Sequence, residues 1–234
     1  MTPGPAVTPD RTYADACGTA HALDLIGERW ALLVVRELLL GPKRYSDLLA
    51  DLPGISTNVL AARLDSLERT GIVLRRRLPP PAASAVYELT MWGAELEPVI
   101  CAIGRWGARS PLHDKTANFS VASFVLSLRT NFSKAAADGL RTTIQFRMPD
   151  DTFVAKVRGG RFSVDRGEAA DADAILTGEP ATFAGIIYGG LTVNDAITLG
   201  LLTMTGDPRM FERFRSSFVL PPVAQSGATG SVGH

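Results

Sequence analysis

Cysteine is nearly absent. Cys17 and Cys101 are the only two in 234 residues, too few for a disulfide scaffold and in keeping with a reducing compartment. Histidine is almost as scarce (His21, His113 and His234), so a Cys/His structural zinc site lacks its ligands and no metal is expected. Neither sign of charge dominates, since 24 Lys and Arg balance 24 Asp and Glu. A nucleic-acid or anionic-membrane partner must therefore be argued from local charge. Apolar runs are interrupted well short of the ~18–20 residues a bilayer needs. The opening MTPGPAVTPD has neither a basic n-region nor an apolar h-region, so no secretory signal is expected and the predicted location is the cytoplasm. A Ser/His/Asp set, paired carboxylates in a motif, a glycine-rich phosphate loop and metal-ligand spacing are all missing, so the chain reads as a non-enzyme without a cofactor.

What is present is an ordinary globular composition, 46% hydrophobic and 21% charged. At roughly 100–200 residues per domain, the length fits one large or two small domains. Residues 1–12 are Pro-rich and aperiodic, and 223–234 are small and polar; both read as flexible tails. A composition break near 110–116 separates an N-terminal domain over 13–110 from a second over 117–222. The fold class expected is α+β.

In the first domain, helical spacing covers 20–26 and stops at Gly27, then covers 29–40 and stops at Gly41-Pro42. Ser46 is the expected N-cap of a short helix over 47–52, and Ser56 that of a helix ending near Thr70. Two short helices joined by Leu-Pro-Gly-Ile have helix-turn-helix spacing. Leu60, Leu64 and Leu67 give the second its buried stripe, which turns Asn58, Ala61, Ala62 and Asp65 outward. Residues 72–78 and 85–89 read as a strand pair around a loop at 79–84, and Thr90 caps a helix over 91–106. Helix-turn-helix followed at once by a β-hairpin is a winged helix.

Local charge then argues for DNA. Between Gly41 and Arg77 stand seven basic residues (Lys43, Arg44, Arg63, Arg69, Arg75, Arg76, Arg77) against four acidic ones (Asp47, Asp51, Asp65, Glu68). Phosphate contacts supply most non-specific affinity and need such an excess. On charge alone, three consecutive arginines read better as a solvated edge strand than as a phosphate contact; the order of elements reverses that preference in favour of the duplex.

The motifs Ala22-Leu-Asp-Leu-Ile-Gly-Glu-Arg-Trp30, Leu38-Leu-Leu-Gly-Pro42, Tyr45-Ser-Asp-Leu48, Pro53-Gly-Ile-Ser56, Gly71-Ile72 and Tyr87-Glu-Leu-Thr90 run almost without a gap. Over residues 15–109 the sequence resembles the HxlR-type family of bacterial winged-helix transcriptional regulators, relatives of the MarR group. The resemblance implies a homodimer, built by the first helix and the helix after the wing, on double-stranded DNA with a palindromic operator. The DNA-binding candidates are Lys43, Arg44, Ser56, Thr57, Asn58, Arg63, Arg75, Arg76 and Arg77. Alanines 61 and 62 with Asp65 depart from the family's more polar recognition face, and the wing tip at 80–84 has no basic residue. The resemblance also places Cys17 at the start of the first helix, where several relatives keep a redox-sensing cysteine. A helix N-terminus favours a thiolate, and His21 lies one turn on. Against this stand nearby Asp15 and the ordinary use of cysteine as a small buried hydrophobe.

In the second domain, 118–129 is helical, 142–147, 152–157, 161–164 and 174–177 read as strands, and Gly178-Glu-Pro180 opens a helix ending near Tyr188. Residues 195–200 are helical, 201–205 a strand, and 210–218 a helix. With Asp173-Ala-Ile-Leu-Thr177 and Leu202-Thr-Met-Thr-Gly-Asp207, this order resembles the sterol carrier protein type 2 fold, a small α/β domain with an apolar cavity. The resemblance implies a small hydrophobic ligand, and the lining candidates are Phe183, Ile186, Ile187, Leu199, Met204, Phe211 and Phe214. Composition does not separate such a lining from plain core. The function expected is a DNA-binding transcriptional regulator whose C-terminal domain senses a hydrophobic molecule. The alternative is a hydrophobe carrier that uses its winged helix only to dimerise.

Overall fold

Helices α1 (Gly18–Ile26) and α2 (Ala31–Leu38) open the first part of a computed structural model that describes residues 12–80, 84–115 and 117–225. Most of both expected tails and the middle of the expected wing loop lie outside the described residues. The chain forms two compact units, Met1–Ile100 and Cys101–His234.

Helix α2 starts later than its periodicity suggests. Trp30, its N-cap, sits at φ 79, a left-handed conformation that costs a bulky residue roughly 1–3 kcal/mol. The helix also ends before 40, because Gly41 turns the chain at φ +122 and Pro42 follows. Helix α3 (Tyr45–Asp51) is capped at Arg44 and not at Ser46. The physical reason is Asp47, whose carboxylate accepts the Arg44 N–H at 3.1 Å and also the Ser46 hydroxyl at 3.0 Å, so Ser46 is drawn inside the first turn. Helix α4 (Thr57–Arg69) starts where expected, with Ser56 Oγ accepting the Val59 N–H at 3.3 Å. Leu60, Leu64 and Leu67 are buried against Val34, Val35, Leu48 and Ile72, while Asn58, Ala61, Ala62 and Asp65 face water.

Strands β1 (Val73–Arg77) and β2 (Ala85–Leu89) pair antiparallel, with Arg75 opposite Tyr87 and Arg77 opposite Ala85. Lys43 adds a further edge to β2: its N–H donates to the Tyr87 carbonyl at 3.0 Å and its carbonyl accepts the Tyr87 N–H at 2.8 Å. The single helix expected over 91–106 is instead two, α5 (Met91–Ala94) and α6 (Glu97–Gly107). Pro98 has no N–H for the Ala94 carbonyl, so the ladder breaks between them.

The second unit follows its expected order closely. Ser120 caps α7 (Val121–Asn131), which moves the helix start from 118 to 121. Strands β3 (Thr142–Arg147), β4 (Thr152–Arg158) and β5 (Arg161–Arg166) form an antiparallel meander. Strand β6 (Ala174–Gly178) then runs parallel to β3, and helices α8 (Pro180–Tyr188) and α9 (Val193–Thr198) lead to β7 (Leu202–Gly206), antiparallel to β6. Helix α10 (Pro208–Arg215) follows, and the sheet order is β5-β4-β3-β6-β7. Asp173 sets the β3–β6 register, since its carboxylate accepts from the Thr143 N–H at 2.7 Å and the Thr142 hydroxyl at 2.9 Å. On one sheet face Phe146 lies 5.1 Å from Phe124 of α7, 5.0 Å from Phe183 of α8 and 6.0 Å from Phe214 of α10, ring centre to ring centre. The other face exposes Lys156, Thr177, Thr203 and Thr205.

Candidate functional site

In the first unit the chemistry gathers at the start of α4 and along β1. Ser56, Thr57 and Asn58 are exposed in the first turn. The Tyr45 hydroxyl donates to the Thr57 carbonyl at 2.7 Å, which ties that turn to α3 and fixes how α4 is presented.

The seven basic residues of the segment are not equivalent. Lys43 is mostly buried; its ammonium contacts Asp51 and lies 3.5 Å from Glu37, so it is a structural cation and not a phosphate candidate. Arg63 is turned inward onto Glu28 at 2.9 Å, which removes it from the contacting face. Arg69 pairs one turn back with Asp65 at 3.7 Å, and Arg76 with Glu88 across the hairpin at 2.6 Å. Arg75, Arg77 and Arg44 are exposed as well. Arg75 and Arg77 project from the same face of β1, with Arg75 5.7 Å over the Tyr87 ring. Arg44, also exposed, donates to Ser84 Oγ at 3.2 Å at the far side of the hairpin loop. Charge counting overstated the cationic surface because the countercharges Glu28, Glu37 and Glu88 lie outside the segment counted.

Glu37 is the residue the sequence reading missed. It is 0% exposed and accepts from Arg36 Nε and Nη2 at 2.9 and 2.7 Å, on an otherwise apolar helix face. A carboxylate one position before Leu38 was the visible signal.

Cys17 is the N-cap of α1 and is exposed, which overturns the buried-hydrophobe reading. Its own N–H donates to Asp15 at 2.9 Å. No full cap hydrogen bond reaches the sulfur, but the backbone N–H groups of Thr19 and then Ala20, with the Thr19 side chain, hold its thiol below the ordinary value. Iodoacetamide at pH 7 should therefore label Cys17 several-fold faster than Cys101, and the rate–pH curve of Cys17 should shift to higher pH in urea. Peptide mass spectrometry over a pH series checks both; superimposable native and denatured curves would exclude an activated thiol.

In the second unit, a groove of about 870 Å³ opens between the end of α8, α9, β7 and α10. Of the expected lining, only Ile186 and Met204 reach it. Phe183, Ile187, Phe211 and Phe214 are buried core, because the sheet face beneath α7, α8 and α10 needs them to exclude water. Leu199 is 66% exposed beyond α9, in a position helical spacing could not show. The lining residues missed include apolar Leu191, Val193 and Ile197 and charged Arg209, Arg213 and Arg215. At the end of α8, burial pushes the Tyr188 phenol up to about 12, against opposing hydrogen bonds from Ser127 and Asn131. That hydroxyl stays protonated and acts as a packing group, 3.2 Å from Ser127 Oγ. Among the described residues, no group of three or more His, Cys, Asp or Glu side chains is placed to hold a metal ion, and no helix is long and apolar enough to cross a membrane.

Known proteins match the two parts separately. Residues 113–223 are similar to the alkyl sulfatase C-terminal family. Residues 25–114 match the HxlR-like helix-turn-helix family. An uncharacterized HTH-type transcriptional regulator of Synechocystis, sll1512, is 40% identical over 92 residues, which cover 39% of this chain and 68% of that protein. YvaP of Bacillus subtilis, also an uncharacterized HTH-type regulator, is 39% identical over 36% of this chain and 79% of its own length. The HTH-type transcriptional regulator YodB of the same organism is 38% identical over 36% and 76% respectively. With this identity over most of each relative, the chain belongs to the HxlR-like helix-turn-helix family.

Proposed function

We propose that the chain is a homodimeric, non-enzymatic transcriptional regulator that binds double-stranded DNA through α4 and the wing, and that its second unit is a sterol-carrier-like domain for a small hydrophobic ligand. The observation that carries the DNA reading is the joint exposure of Ser56, Thr57 and Asn58 at the start of α4 with Arg75 and Arg77 on one face of β1. The first turn of a recognition helix meets base edges. Asn58 has the donor and acceptor that adenine requires, while the arginines suit phosphate. Dimerisation is supported by α6, where Val99, Ile103 and Trp106 form an exposed stripe at i, i+4 and i+7, and by exposed Leu23 on α1. A second copy would cover them. The ligand reading is supported by the groove, whose wall is largely apolar beside a sheet with helices on one face. Release or capture of DNA on ligand binding needs only ~1–3 kcal/mol of coupling, a roughly 5–150-fold change in affinity.

The decisive test is a salt titration of duplex binding by fluorescence anisotropy. Replacing Arg75 and Arg77 together by alanine should weaken binding to all sequences alike and lower the slope of log K against log salt by about two for each protomer, one per lost phosphate contact. An unchanged slope would exclude the wing as a phosphate clamp. No binding by the parent protein to any duplex, specific or not, would sink the regulator reading itself.

A further inference from the structure

One end of the second unit's sheet carries a row of cations. The β4–β5 hairpin turns through Gly159 and Gly160, at φ 58 and 69, the two left-handed residues that a tight turn of this length demands. Arg158 and Arg161 flank the turn directly opposite each other, and Lys156 lies opposite Ser163 on the same face. Arg141 immediately precedes β3, where Thr142 lies opposite Val157; strand alternation puts it on the Lys156 face beside Arg158. Lys134 joins them from outside the sheet, its stem so close to Gly160 that a Cβ there would come 3.0 Å from Cε. All five side chains are exposed. Among the described residues none of the five ion-pairs, neither with Asp138 nor with any other carboxylate, and the ion pairs Arg166–Asp151 and Arg215–Glu212 leave them untouched. Asp173 is spent on Thr142 and Thr143. Asp165, the acid on this face of β5, is four residues from Arg161, about 13 Å along the strand. Like charges directly opposite each other destabilise a strand pair, so the row has no local structural reason.

We propose that this row is a second contact for the phosphate backbone of double-stranded DNA, separate from α4 and the wing. The inference rests on reading the chain as a DNA-binding regulator and adds a part of the footprint that the winged helix does not supply. Neighbouring strands lie ~4.8 Å apart, so Arg141, Arg158 and Arg161 span roughly 10 Å. That is the axial rise of about three phosphates on one strand of B-DNA. Guanidinium groups match phosphate oxygens with two parallel hydrogen bonds. Such contacts carry affinity and register, not sequence. Among the described residues, no large apolar side chain is exposed between residues 113 and 196, so this surface lacks the anchors that a bilayer or an apolar protein partner needs.

A salt series of fluorescence anisotropy, with the full chain on a long duplex of arbitrary sequence, tests this. Changing Arg141→Gln, Arg158→Gln and Arg161→Gln together should lower the slope of log K against log salt by about 2.7 for each protomer, at ~0.9 per lost phosphate contact. Combined with alanine at Arg75 and Arg77, the losses should add, because the two clusters hold different phosphates. Arg158→Gln alone should lower the slope by about 0.9, whereas Arg147→Gln, an exposed cation at the other end of β3, should leave it unchanged. Each of these single variants alters one exposed side chain, so their comparison stands even if the triple variant misfolds. Equal losses from the two would mean an effect of net charge and overturn the proposal. An unchanged slope in the triple variant, with duplex binding by the parent, overturns it and leaves the winged-helix reading standing. No duplex binding by the parent overturns both. Vesicles of phosphatidylcholine and phosphatidylglycerol test the other anionic surface. The parent should stay in the supernatant, and co-sedimentation lost in the triple variant with duplex binding intact would assign the cations to lipid head groups and overturn the proposal.

Discussion

Glu37→Ala should destabilise the first unit by about 3–5 kcal/mol, the cost of breaking a buried ion pair by removing one partner. Against a typical total of roughly 5–15 kcal/mol, this is a large share. The carboxylate has no exposure, and it answers two cations, Arg36 through two hydrogen bonds and Lys43 at 3.5 Å. Without it, Lys43 keeps only Asp51, itself partly in water. The consequence reaches the β1–β2 hairpin through the backbone. Lys43 is held to Tyr87 by two main-chain hydrogen bonds, and Tyr87 lies opposite Arg75. Loosening residue 43 therefore loosens the support of the wing. Urea unfolding followed by tryptophan emission is a suitable readout, because Trp30 packs against this core. Replacing Glu37 and Lys43 together by methionine separates ion pairing from shape. A buried pair exchanged for apolar groups of similar size is often neutral, so the double variant should recover much of the loss. A single variant within about 0.5 kcal/mol of the parent would mean that the cluster is solvated and structurally idle.

How far the sequence could be read depended on whether the deciding interaction was local. Strands β2 and β3 fall on their expected residues, and the caps Ser56 and Thr90 act as anticipated, because alternation and capping are set within a few residues. The start of α3 was missed by a competition within one turn, where Asp47 took the capping role from Ser46. The split between α5 and α6 was legible in Pro98, but the apolar spacing across 91–106 outweighed it in the reading. Side-chain destinations were harder. Whether Lys43, Arg63 and Arg76 face DNA or their own domain depends on Glu37, Glu28 and Glu88, which the chain brings near from a distance in sequence or across the hairpin. In the second unit, apolar composition pointed to phenylalanines that fill the core, whereas the groove is lined by smaller residues flanking the Gly189-Gly190 turn and by one face of α10. Periodicity marks an apolar face; it does not say whether that face meets another element or a void.

Phe146→Ala should cost about 3–5 kcal/mol in the second unit, the range for removing a fully buried aromatic side chain from a core. Its position argues for the upper part of that range. Phe146 is on β3, the central strand, and is 0% exposed. Its ring meets Phe124 and Phe183 edge-on, at 5.1 and 5.0 Å, and Phe214 at 6.0 Å, so one truncation removes contacts to α7, α8 and α10 together. Edge-to-face pairs add roughly 0.5–1.5 kcal/mol beyond their buried area. The void cannot close by a simple side-chain shift, because the three partner rings belong to three different helices. Trp30, Trp92 and Trp106 all precede this unit's sheet, so tryptophan emission is the wrong reporter here. Hydrogen exchange is the right one: peptides covering Thr142–Arg147, Val121–Asn131 and Pro180–Tyr188 should lose protection together, since they share the same ring cluster. The groove supplies a second readout. Ile186 lines it from α8, the helix that also carries Phe183, so any small molecule that binds the native groove should restore part of the lost protection by mass action. Loss confined to β3, with α7 and α8 exchanging as in the parent, would show that the helices pack on the sheet without this ring, and the core would then have to be centred on Phe214 and Phe218, whose rings lie 4.8 Å apart.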